Sequence, residues 1–142
     1  MPNQIKSKIQ IIIHGTDDSE KIIKSLNNLF NINSDDFTIQ NLTGHFENPL
    51  TVLTLVMKKQ ISEDFVSILF SKMKKNDLET ISETLNEQLS SDGLKIRISK
   101  QKLIMGKIIL ENKDAIKITI TIPVYIKNNF VQIYRQALKI SE

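Results

Sequence analysis

Five cations and no acid fall within the thirteen residues from Lys95 to Lys107: Lys95, Arg97, Lys100, Lys102 and Lys107. Lysine and arginine on a strand and the turn after it can track phosphates. Such contacts give an affinity that depends on salt and tolerates sequence. With Gln101 among them, Lys95, Arg97, Lys100, Gln101, Lys102 and Lys107 form the candidate phosphate-contacting set. The same lysines also suit a plainer role, as an edge strand guarded against pairing or as a solvated face. His14 and His45 form a second set, with Asp17 and Glu47 beside them. Imidazole and carboxylate can bind a metal or exchange a proton. Two polar residues that cap loops and bond backbone groups account for the same placement.

The chemistry available is otherwise narrow. There is no cysteine, hence no disulfide, no thiolate metal site and no thiol nucleophile. The four glycines are scattered singly, so no phosphate-cradling glycine loop forms. No serine sits in a nucleophile-elbow setting. The acids fall mostly at helix starts, where the dipole favours them. These features predict no metal, no cofactor and no enzyme.

The chain has 142 residues and a net charge of +3. That length fits one domain, 1–142, with a core over about 5–123. The charge is uneven: residues 1–57 hold four lysines and six acids, and the basic excess belongs to the second half. No apolar run approaches the ~18–20 residues of a membrane span, and the N-terminus has no apolar signal segment, so a cytoplasmic protein is expected.

The elements that must carry these residues follow from periodicity. Lys6–Ile13 alternates Ile9, Ile11 and Ile13 against Lys8 and Gln10, as a half-buried strand does. Asp17 and Glu20 open a helix striped by Ile22, Ile23, Leu26, Leu29 and Phe30. Phe37–Leu42 reads as a short strand. The turn Thr43–Pro49 feeds Thr51–Lys58, apolar on both faces and so expected in the middle of a sheet. If the first two strands are parallel, His14 and His45 lie near the same end of that sheet. Ser62 is expected to cap one helix and Asn76 the next, with Gly93 just past the helical region. Leu94–Ile98 alternates as a strand. Beyond it Lys100 and Lys102 would fall on the apolar side, so Ser99–Met105 is expected to turn. Gly106–Glu111 and Ala115–Pro123 flank Asn112-Lys113-Asp114 as a hairpin would. Phe130, Ile133, Tyr134, Ala137 and Leu138 share one face of a final amphipathic helix, about 128–140.

Three stretches together carry a resemblance: His14-Gly15-Thr16-Asp17-Asp18, Leu42-Thr43-Gly44-His45-Phe46-Glu47-Asn48-Pro49, and Ile96-Arg97-Ile98-Ser99-Lys100-Gln101-Lys102. Their order and spacing resemble a family of small archaeal proteins described as RNA-binding domains or exosome subunits. Asp114-Ala115-Ile116 matches that family's late acidic turn. Glu47, Ser99 and Leu103 depart from the pattern, where glycine, aspartate and a small residue are usual. The resemblance implies a fold similar to the large-subunit ribosomal protein that binds 5S RNA. That is an α+β domain with one mostly antiparallel sheet and helices packed on one face.

Together these readings predict a non-catalytic RNA-binding or RNA-processing accessory protein that contacts the phosphate backbone, in an exosome- or ribosome-associated setting. Lys8 or Lys117 add contacts if the open sheet face takes part. The phenylalanines lie on helical stripes, so base stacking is not expected. The alternative is a protein–protein adaptor or homodimer that uses the open sheet face, an edge strand or the C-terminal helix.

Overall fold

The computed structural model describes residues 5–43, 48–90 and 92–122. β1 (Lys6–Ile13) alternates as expected, burying Ser7, Ile9, Ile11 and Ile13 and exposing Lys6, Lys8 and Ile12. α1 (Ser19–Phe30) is capped by the Asp18 carboxylate, which accepts the Lys21 N–H at 3.1 Å. It ends at Asn31, whose left-handed backbone (φ 58°) lets its N–H reach the Asn27 carbonyl. Ile22, Leu26 and Phe30 are its buried stripe, and the Phe30 ring meets that of Phe65 at 4.8 Å.

A 3-10 turn (Ser34–Asp36) leads to β2 (Thr38–Thr43) and then β3 (Pro49–Lys58). The helices α2 (Lys59–Lys72), α3 (Lys75–Glu83) and α4 (Leu85–Gln88) follow. The last described elements are β4 (Leu89–Ser90), β5 (Gly93–Ser99), α5 (Lys100–Ile104) and β6 (Ala115–Thr121). The sheet order is β2-β3-β1-β6-β5-β4, and every neighbouring pair is antiparallel. The architecture is therefore α+β, with five full strands and a two-residue sixth among the described residues. Helices pack on one face: α2 touches β1 and β3, and α1 touches α2 and α5. The core between them is rich in isoleucine, with Ile9, Ile11, Ile98, Ile116, Ile118 and Ile120 among its fully buried side chains. Each such side chain contributes roughly 1.5–3 kcal/mol by leaving water.

Several expectations are corrected. β3 is internal, but the middle of the sheet is β1 and β6. Nor is β3 covered on both faces: Leu53, Leu55 and Met57 are buried, whereas Val56 is exposed. Ser62 does not cap α2, because β3 turns directly into the helix at Lys59 (φ 56°). Ser62 therefore falls one turn inside, buried, with its hydroxyl bonded to that of Ser7. Asn76 is likewise inside α3, and Asp77 spends its carboxylate on the Leu110 N–H at 3.2 Å. Gly93 opens β5 instead of following a helix, since β4 intervenes.

The hairpin between 106–111 and β6 does not form. Both edges of β6 are already taken, by β1 and β5. Residues 107–111 run instead beside β5, where the Ser99 N–H donates to the Ile109 carbonyl at 2.8 Å and the Glu111 N–H to the Arg97 carbonyl at 3.0 Å. β1 and β2 do run parallel, with β3 between them. His45, Glu47 and the expected helix 128–140 lie outside the described residues.

Candidate functional site

Residues directly opposite in an antiparallel pair share a face. The register therefore fixes which side chains stand on the face away from the helices. β1 contributes Lys6, Lys8, Gln10 and Ile12, and β3 contributes Val52, Thr54, Val56 and Lys58. Lys117, Thr119 and Thr121 come from β6, and Lys95 and Arg97 from β5. Six cations thus share one face of the sheet. Lys6 sits directly opposite Lys58, and Arg97 directly opposite Lys117. The five long strands contain no acid at all. Like charges directly opposite one another destabilise a sheet by a few tenths of a kcal/mol up to ~1 kcal/mol.

Two shallow depressions run along this face and share Gln10 and Lys117. One, of about 370 Å³, adds Lys8, Lys95 and Thr119. The other, of about 460 Å³, adds Arg97, His14 and Asn112. Among the described residues, the acids at the rim are Asp92, 3.9 Å from the Lys95 ammonium, and Asp114 beside His14. No aromatic residue stands on the described strands of this face.

The fold divides the candidate set Lys95, Arg97, Lys100, Gln101, Lys102 and Lys107. Lys95 and Arg97 project from the open face with Lys8 and Lys117. Gln101, Lys102 and Lys107 are exposed, but on α5 and the turn after it, which pack in the helical layer against α1.

Lys100 is buried, with 3% of its side chain exposed. Its Nζ donates to the Ile12 carbonyl at 2.6 Å, to Asp17 Oδ2 at 3.0 Å and to Asp114 Oδ1 at 2.8 Å. An ammonium has three protons, and three acceptors take them. Lys100 therefore offers no charge to a surface ligand. The signal was in the sequence: Lys100 breaks the alternation on the apolar side of its strand. Lys6 and Lys58 were missed because only the register puts them beside each other.

His14 belongs to the same cluster. Its backbone N–H donates to Asp17 Oδ2 at 2.8 Å, and its Nε2 lies 3.2 Å from Asp114 Oδ1. Burial by itself would raise the Asp17 pKa. The His14 N–H and the bond and charge of Lys100 outweigh it, so the carboxyl sits below its ordinary value of 3.8. The ligating atoms of His14, Asp17 and Asp114 lie within 4.8 Å of one another, close enough to surround a metal ion. The Lys100 ammonium already bonds both carboxylates from inside that group, so an added cation would have to displace it. As arranged, the cluster ties the end of β1 to α5 and to the start of β6.

No helix among the described residues is long and apolar enough to cross a membrane. The fold is similar to that of solved archaeal proteins. Protein AF2318 of A. fulgidus superposes with a TM-score of 0.79 at 23% identity, over 93% of this chain and 97% of that one. Protein SSO0741 of Sulfolobus solfataricus gives 0.74 at 25% identity, over 94% and 98%. By sequence, the chain is 29% identical over 125 residues to RNA-binding protein PAB1135 of Pyrococcus abyssi, covering 83% of this chain and 81% of the relative. A family model described as RNA binding matches residues 6–122, from the first residue of β1 to just past β6, and the chain belongs to that family.

Proposed function

We propose that this protein binds RNA by laying the phosphate backbone along the open face of its sheet, through Lys6, Lys8, Lys58, Lys95, Arg97 and Lys117. The observation that carries this reading is the pairing of like charges directly across strands. Lys6–Lys58 and Arg97–Lys117 cost the fold stability and have no acid among the five long strands to offset them. A polyanion supplies the missing counter-charge, and its binding releases condensed counterions. Membership of the RNA-binding family supports RNA as that polyanion. Same-face residues along a strand are about 6.6–6.8 Å apart, and neighbouring strands about 4.8 Å apart, so the cations form a two-dimensional grid. Threonine and glutamine between them offer hydrogen bonds to phosphate and sugar. Without aromatics on the strands, recognition is by backbone and shape and not by stacked bases. Gln101, Lys102 and Lys107 add at most a peripheral contact from the helical side.

The protein acts as a binding module and does not cut RNA. In the cell it serves as an RNA-binding or RNA-processing accessory protein associated with an exosome or a ribosome. Fluorescence titration with single-stranded and structured RNA at two salt concentrations tests the binding. Salt-sensitive affinity that is weakened ~10–100-fold in Lys8→Glu/Lys117→Glu and kept in Lys102→Glu is the expected result. Absence of binding at low salt, or equal loss in both variants, would overturn the open-face assignment.

A further inference from the structure

Among the described residues, the two edges of the sheet are built differently. At the β5 edge, β4 pairs with Leu94 and Gly93, and the 107–111 segment bonds to Arg97 and Ser99. At the other edge, all six residues of β2 are exposed. Ile39 points to the helical side yet is 61% exposed, and Leu42 is exposed on the opposite face. Among the described residues, no backbone hydrogen bond reaches β2 from any strand but β3. Edge strands are ordinarily guarded by lysine, proline or a bulge. Thr38-Ile39-Gln40-Asn41-Leu42-Thr43 has no charge and no proline, and it pairs with β3 residue for residue without a bulge.

We propose that β2 is a homodimer interface, pairing antiparallel with β2 of a second copy to join two sheets into one. Charge selects this occupant. The chain is basic, and two copies meeting through most of the open face would bring cations together. β2 and the part of β3 that pairs with it are uncharged. From β1 of one copy to β1 of the other there are five strand spacings, about 24 Å at ~4.8 Å each. That exceeds the ~8 Å Debye length at physiological ionic strength, so the two sets of β1 cations are screened from each other.

Symmetry selects the register. A two-fold axis normal to the sheet keeps both helical layers on one side and both basic faces on the other. It also requires that a residue face its own copy, and pairing the greatest length of the six-residue strand puts the axis at Gln40 or at Asn41. Ile39 and Leu42 then gain cover on their respective faces.

The test is a charge swap at these two exposed positions, read as molar mass by sedimentation and light scattering on the full chain. Wild type is expected at twice the chain mass. Gln40→Lys/Asn41→Lys puts like charges opposite one another in either register, and Gln40→Glu/Asn41→Glu does the same with the other sign. Each variant alone is expected at the single-chain mass with an unchanged circular dichroism spectrum. An equimolar mixture of the two is expected to return to the doubled mass. Three outcomes overturn the proposal: a wild type that stays monomeric at its highest soluble concentration, a dimer that survives either substitution pair, or a mixture that fails to reassociate. Should the lysine pair unfold, the glutamate pair alone against wild type still decides the first two. A foreign strand or residues 123–142 seated on β2 would leave purified wild type monomeric, which counts against the proposal.

Discussion

Lys100 gives all three ammonium protons to acceptors inside the protein, whereas Lys117 stands on the open face with Arg97 directly opposite it. Seventeen positions separate them in sequence, and both look like members of one basic half. The fold supplies Lys100 with two carboxylates and a carbonyl, and supplies Lys117 with another cation. The first arrangement satisfies the ammonium and hides the charge. The second costs stability and leaves the charge available. A cation's role follows from the acceptors its neighbours bring, and those neighbours are set by register and loop path.

The sharpest way to break this contrast is to remove each charge in turn. Lys100→Ala leaves the Asp17 carboxylate, 8% exposed, and the Ile12 carbonyl without their partner. Breaking a buried pair from one side typically costs about 3–5 kcal/mol, which urea denaturation would read directly. Lys8→Glu/Lys117→Glu should instead leave the fold intact and weaken RNA binding ~10–100-fold. Its log–log salt slope should become shallower by about 0.7–0.9 for each phosphate that the variant no longer neutralises.

Acid gives a third probe. Asp17 has a folded pKa below its unfolded value, so its contribution to stability is complete above that unfolded value. It is lost as pH falls from there through the lower folded one. Unfolding midpoints measured down a pH series should drop in wild type over that acid range. Asp17→Asn should start lower and show a shallower acid limb.

Lys117→Thr removes the clash with Arg97 and should raise stability by roughly 0.2–1 kcal/mol while lowering RNA affinity. A stabilised protein that binds less well would separate the two roles in one variant. Lys102→Glu, on the exposed surface of α5, should change stability by less than about 0.5 kcal/mol and binding little.

Local pattern carried much of this fold and less of its site. Ile9, Ile11 and Ile13, or Ile116, Ile118 and Ile120, alternate over a few residues, and that alternation alone assigns a strand and its buried face. The α1 stripe is legible for the same reason. The failures share a cause. Whether 106–111 pairs with β6 depends on which strand edges remain free, and β1, a hundred residues upstream, had already taken one. Ser62 looks like a helix cap until β3 is seen to enter α2 without a loop. On the candidate surface, Lys95, Arg97, Lys8 and Lys117 were individually readable as outward-facing. Their convergence, and the Lys6–Lys58 pairing, needed the strand order. Lys100 was misassigned because its partners lie 83 and 14 residues away. Only its position on the apolar side hinted at them.

The central place of β1 also shapes how the chain reaches its native state. Lys6 pairs with Lys58 on one side and with Thr121 on the other. A chain synthesised from its N-terminus at ~5–20 residues per second exposes β1 for ~5–20 s before β6 leaves the ribosome. During that interval β3 and α2 can cover one edge and one face of β1, while its second edge stays unpaired. Pairings this distant in sequence slow folding, because the long loop must close before the pairing rewards it. Truncation anywhere before residue 115 would therefore leave the first strand permanently half-paired, with an unpaired edge of the kind through which nascent chains aggregate.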